Sequence, residues 1–311
     1  MERHRSWQLT SDCANLAIRL ASATLLAGAS YESIRGRFHL GTRTAFIAGA
    51  VAMALLVLAS PASAIVYGEF DGNRHPSVGA FAIKRDGEFR RIRTGTLISP
   101  RVFLTASHCT VGAENSGVPR DEVYVTFDPR PTQSSTYLRG TSFTHPEFGF
   151  SGPGGLSDPH DIAVIVLDRT VRGITPAVLP EAGLLDRMKA AHELASASFV
   201  AVGFGTVRES RKTGPQGILN ITERRFAEQS YLSLLDAWLN LAMNEATGDG
   251  GTCFGDSGGP HFLGGIESNL VVSITITGDA VCKATDKTYR VDTASARDFL
   301  DDFSQYGVVL P

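Results

Sequence analysis

The chain has 311 residues, 43% of them apolar and 20% charged, with 32 glycines and 14 prolines. That composition excludes a disordered, collagen-like or coiled-coil protein, and the length suffices for one or two domains with full cores. Twenty-nine basic residues against 32 acidic ones leave a net charge of −3, and no basic stripe runs along the chain, so nucleic acid is not an expected partner.

In chain order, the first feature is an uncharged apolar run over residues 45–59. It follows Arg43 and ends in Ser60-Pro61-Ala62-Ser63-Ala64. A basic flank, a short apolar stretch and small residues at Ala62 and Ala64 describe a secretory signal peptide. A membrane span would need roughly 20 apolar residues. Residues 1–64 are therefore expected to be a leader that is removed, residues 1–42 having no pattern of their own, and residues 65–311 to be the folded domain. Past the leader, Cys109, Cys253 and Cys282 remain. An exported chain meets an oxidising environment, so one disulfide is expected, with one thiol left over.

Beyond residue 64, short runs rich in Val, Ile, Phe and Thr recur at 78–83, 92–98, 102–105, 123–127, 162–167, 198–202 and 270–276, separated by Gly, Pro, Asp and Asn. They read as strands of a sandwich or barrel. The glycine-rich stretch 151–155 reads as a surface loop. Residues 223–246, with Leu234, Leu235, Trp238 and Leu239, read as a packed surface helix, and residues 294–303 as a second helix.

Three segments carry chemistry. Leu104-Thr105-Ala106-Ser107-His108-Cys109 ends a strand. His160-Asp161 stands at the mouth of the apolar run 162–167. Gly255-Asp256-Ser257-Gly258-Gly259-Pro260 surrounds a serine with glycines, which are needed where backbone amides must approach something closely. Gly255, Ser257 and Gly259 also fit the nucleophile-elbow pattern, but that fold places serine before acid before histidine. After Ser257 the only histidine is His261, so the elbow reading fails.

In the order His, Asp, Ser, these segments resemble the chymotrypsin/trypsin family of serine endopeptidases. His145-Pro146-Glu147-Phe148, Gly203-Phe204-Gly205 and Ile65-Val66-Tyr67-Gly68 add to the likeness, which covers residues 65–311. Tyr67 departs from it, since the family has glycine there. The resemblance implies an all-β fold of two six-stranded antiparallel β-barrels with a C-terminal helix, the halves falling at roughly 65–190 and 191–311. It implies peptide-bond hydrolysis through an acyl-enzyme, with Ser257 as nucleophile, His108 as general base and Asp161 fixing the imidazole tautomer. The N–H groups of Gly255 and Ser257 would form the oxyanion hole, and Asp256 would pair with a new ammonium at Ile65.

By the same resemblance, Cys253 pairs with Cys282, while Cys109 stays free because Arg93 occupies its partner's place. The specificity pocket would involve Gly251 together with Asp286 or Lys287. Asp286 inside it would favour basic substrates, Lys287 acidic ones, and neither would leave a small or apolar preference. No metal or organic cofactor is implied. Partners are protein or peptide substrates, with no membrane once the leader is gone, and the domain is expected to act as a monomer, extracellular or periplasmic. Two other functions remain: a non-catalytic exported binding protein on this scaffold, or an esterase using the same site. His160 reads as a loop residue and His261 as a solvated strand histidine. Glu69, Asp71 and Asp86 match no calcium-ligand spacing.

Overall fold

The computed structural model describes residues 65–149, 157–208, 218–220 and 223–311. The leader, 1–64, and the loop expected at 151–155 lie outside these residues.

Six strands close the first barrel: β2 (Val78–Arg85), β3 (Glu88–Leu97), β4 (Val102–Thr105), β5 (Val123–Thr126), β6 (Leu138–Thr144) and β7 (Ala163–Leu167). They pair antiparallel in the order β2-β3-β4-β7-β6-β5, and β5 returns to β2. The second barrel uses β8 (Ser198–Gly203), β11 (Arg225–Leu234), β12 (Trp238–Ala242), β13 (Pro260–Leu263), β14 (Val271–Gly278) and β15 (Thr285–Arg290). It runs β11-β12-β15-β14-β13-β8, and β8 closes it onto β11. A small hairpin, β9 (Thr206–Arg208) and β10 (Ile218–Asn220), stands apart. The expected pair of six-stranded antiparallel barrels is present.

The two ends of the described domain cross over. At its start, β1 (Glu69–Phe70) adds to β11 of the second barrel. After the second barrel, helix α3 (Ala294–Asp301) returns to the first. Thr293 caps α3 by accepting the Ala296 N–H, and Ala296, Phe299 and Leu300 are buried at helical spacing. Phe303 then packs edge-on against Phe143 of β6, their rings 5.5 Å apart. Two shorter helices, α1 (Ser107–Asn115) and α2 (Leu184–Ala190), escaped the sequence reading.

The helix expected over 223–246 is instead the hairpin β11–β12. Leu234 pairs with Leu239, and the Leu235 N–H closes the turn on the Trp238 carbonyl at 2.8 Å. Leu239 and Leu241 are buried while Trp238 and Asn240 are half-buried, a period of two. Leucine's helical preference yields here because β11 is paired to β8 and β12 to β15, which meets the backbone's hydrogen-bonding demand from both sides.

Candidate active site

Strand β4 leads into α1, whose first turn carries His108. Ser107 Oγ donates to the Ile162 carbonyl at 2.6 Å, which ties the helix start to the entrance of β7. Asp161 sits at that entrance, fully buried. One of its oxygens accepts the His108 backbone N–H at 2.9 Å, and the other lies 2.8 Å from His108 Nδ1. A carboxylate there holds the proton on Nδ1, so that in the neutral ring the Nε2 lone pair is the one that can act as a base. Burial pushes the imidazole pKa down. The sulfur of Cys109, 3.5 Å from Nε2, and the Asp161 carboxylate outweigh it and hold His108 up to about 10.

The Ser257 loop comes from the second barrel but is held by the first. Thr94 of β3 gives its N–H to the Ser257 carbonyl at 3.2 Å and its hydroxyl to the Gly255 carbonyl at 3.0 Å. Gly258 has φ +80°, and a Cβ there would lie 2.1 Å from Thr105 Oγ1 at the end of β4. Only glycine permits this seat. It sets Ser257 beside the strand that leads to His108. No hydrogen bond joins Ser257 to His108 among the described residues. The N–H groups of Gly255 and Ser257 likewise have no acceptor among them, so both are available to an oxyanion.

Asp256 turns inward and is fully buried. Its carboxylate accepts N–H groups from Gly205 at 2.7 Å and Cys253 at 2.9 Å. A Cβ on Gly203 or Gly205 would collide with it, at 2.1 and 2.2 Å. Burial pushes its pKa up to about 7 against those two bonds, with Asp286 adding to the rise and Arg91 opposing it. Ile65 is buried with Ala201 and Ala227, and Val66 exchanges backbone hydrogen bonds with Gly251 at 2.8 and 2.9 Å. In the full chain the Ile65 nitrogen is a peptide N–H, so the expected pairing of an Ile65 ammonium with Asp256 requires cleavage before Ile65.

The Trypsin family model matches residues 68–300. This chain belongs to the trypsin family. Membership carries a serine protease-type function in general, with proteins as substrates. The structure also contains the Cys253–Cys282 disulfide, Cα atoms 5.4 Å apart, and leaves Cys109 as a buried free thiol. Family and disulfide together suit an extracellular protein. No helix among the described residues is long and apolar enough to cross a membrane.

A cavity of about 290 Å³ opens beside Ser257, walled by the disulfide, Thr252, Phe254, Ile276 and Gly278. Gly251, Asp286 and Lys287 do not line it. Where Gly251 would carry a Cβ, the Met243 side chain lies 2.3 Å away. Asp286 is sealed behind the wall, accepting from Thr252 Oγ1 at 2.8 Å and Gln229 Nε2 at 3.1 Å, and burial pushes it up to about 6. Asp279 is the one acid on the rim among the described residues, and its carboxylate is committed to the N–H groups of Lys283, Ala284 and Thr285. The sequence reading missed Phe254, 59% exposed beside Cys253, although its place next to the serine motif was a visible signal.

His261 is not solvated. It is fully buried, since β13 is paired on both edges, and it bonds Gln229 and Thr275 at 2.8 and 2.9 Å. Burial pushes it down to about 3, which keeps it neutral.

Proposed function

We propose that this chain is an exported serine endopeptidase that cleaves peptide bonds through Ser257, His108 and Asp161. The observation that carries the reading is the His108–Asp161 pair at 2.8 Å, with a fully buried carboxylate and Nε2 facing away from it. Ser257 would attack the scissile carbonyl and pass its proton to Nε2. The two uncommitted N–H groups of Gly255 and Ser257 would bind the oxyanion, and His108 would return the proton to the leaving amine.

The cavity walls are mostly uncharged, and the Asp279 carboxylate on the rim is committed to backbone N–H groups, which supports a small or apolar side chain at the cleaved bond. Cleavage after Ala64 would give Ile65 a free ammonium able to pair with Asp256. N-terminal sequencing of exported protein tests that step.

A phosphonofluoridate probe tests the function. Stoichiometric labelling at Ser257, with turnover of a peptide library, is the expected result. No labelling of the processed protein would make it a non-catalytic binding protein, the reading favoured by the missing Ser257–His108 hydrogen bond. Turnover of esters without peptides would make it an esterase.

A further inference from the structure

Outside the candidate triad, one group of side chains is placed to hold a metal ion among the described residues: His145, Glu147 and His160, whose ligand atoms lie within 4.8 Å of one another. We propose that they form a site for one borderline divalent cation, zinc being the probe of choice.

His160 Nε2 and Glu147 Oε2 are 3.7 Å apart. Zinc binds such atoms at about 2.0–2.2 Å, so in a tetrahedral site they would stand roughly 3.3–3.6 Å apart. A small rotation of Glu147, whose side chain is 72% exposed, closes the difference. The two imidazoles are less mobile. Their rings stack at 4.7 Å, and His145 is backed by Phe299 at 5.0 Å. Ser295 Oγ, at the start of α3, lies 2.8 Å from His160 Nδ1. In the tautomer in which Ser295 Oγ accepts the Nδ1 proton, the Nε2 lone pair is left for a metal, the outer-shell arrangement common to ligating histidines. The Glu147 N–H donates to His145 Nδ1 at 3.1 Å, so that nitrogen is unprotonated, and a cation would take its lone pair in exchange for the N–H. Two imidazoles and one carboxylate suit zinc, nickel or copper rather than calcium or magnesium.

The site is built into the support of Asp161. His160 precedes it in sequence, and the His145 N–H bonds the Ile162 carbonyl at 3.2 Å. A bound ion would therefore clamp the two segments that carry the buried acid.

The test is zinc titration of metal-stripped, tag-free protein by calorimetry, with thermal unfolding alongside. One equivalent is expected to bind and to raise the melting temperature. Glu147→Gln and His160→Asn should each weaken binding by at least about tenfold, and Ser295→Ala by about tenfold or more, the usual scale for an outer-shell partner. Exposed His192→Ala should change nothing. Cys109→Ser separates this site from a second candidate, the Cys109–His108 pair, and should retain binding. Absence of binding below millimolar zinc overturns the proposal. So does unchanged affinity in Glu147→Gln and His160→Asn, or loss of binding in Cys109→Ser. None of these readouts depends on the protein being a peptidase.

Discussion

The sulfur of Cys109 lies 3.5 Å from Nε2 of His108, at the opposite end of the ring from the Asp161 carboxylate. The imidazole is thus held between two groups that favour its charged form, and its pKa is raised to about 10 although burial opposes the rise. In the proposed mechanism the base must be neutral to accept a proton from Ser257. A raised pKa therefore moves the rising limb of the activity profile to higher pH than a free histidine would give. In kcat/KM against pH, the limb should lie above about pH 7. Cys109→Ala removes one of the two supports and should shift the limb downward by about one pH unit or more. Superimposable profiles for the two proteins would show that the sulfur does not act on the base.

Asp71 and Arg224 form an ion pair at 2.7 Å with neither side chain reached by solvent. Arg224 also donates to the Val78 carbonyl at 2.9 Å, and His75 Nδ1 lies 2.5 Å from the other Asp71 oxygen. The pair joins the chain after β1 to the start of β11 and to the first strand of the first barrel. Removing one partner leaves a buried charge uncompensated, which costs about 3–5 kcal/mol. Asp71→Ala should lose that much in urea unfolding, and the double variant Asp71→Leu/Arg224→Met should lose less than the two single changes added together. Burial opposes ionisation of Asp71, but His75 and Arg224 together hold its pKa below the ordinary value. Its contribution is therefore present above about pH 4 and lost as pH falls through the depressed folded pKa.

The contrast between these two relationships shows what could be read in advance. His108, Asp161 and Ser257 each sit in a short local segment whose residue types suit the proposed chemistry, so the letters alone point to them as candidates. Arg224 is 153 positions from Asp71, and nothing near either residue marks the other. Asp286 fell near the expected pocket because a one-residue shift on a strand exchanges the inner face for the outer. The structure turns it towards Gln229 and Thr252 instead. The leucines of β11 and β12 hid a period of two inside a helix-favouring composition, and only pairing to β8 and β15 decides the matter.

Gly205 is expected to be as demanding as the serine motif itself. Its N–H bonds Asp256 at 2.7 Å, and an added Cβ would sit 2.2 Å from the other carboxylate oxygen. Gly205→Ala must displace Asp256, and with it the Gly255 and Ser257 amides on either side. Loss of one oxyanion donor lowers turnover by about 10²–10³, and a fall of that order in kcat with the fold retained by circular dichroism is the expected outcome. Activity within a few-fold of the parent would mean that Asp256 does not set the loop.

The buried acids give the last prediction, and it separates two states of the N terminus. With Ile65 joined to Ala64, burial raises Asp256 to about 7 and Asp286 to about 6, from 3.8 in the unfolded chain. Between those values the folded state holds more protons than the unfolded one. Stability from these groups is complete below about pH 4 and is lost as pH rises through about 6 to 7, with a slope of at most about 1.4 kcal/mol per pH unit for each proton. Asp256→Asn in the uncleaved chain should remove its share of the slope. If Ile65 carries a free ammonium beside Asp256, that carboxylate becomes ionised, its share of the decline disappears, and only the part due to Asp286 remains. Urea unfolding at several pH values between 4.5 and 7.5, for chains starting at Ile65 and chains extended through Ala64, should give the shallower decline for the former. Equal slopes would mean that the ammonium and Asp256 do not meet.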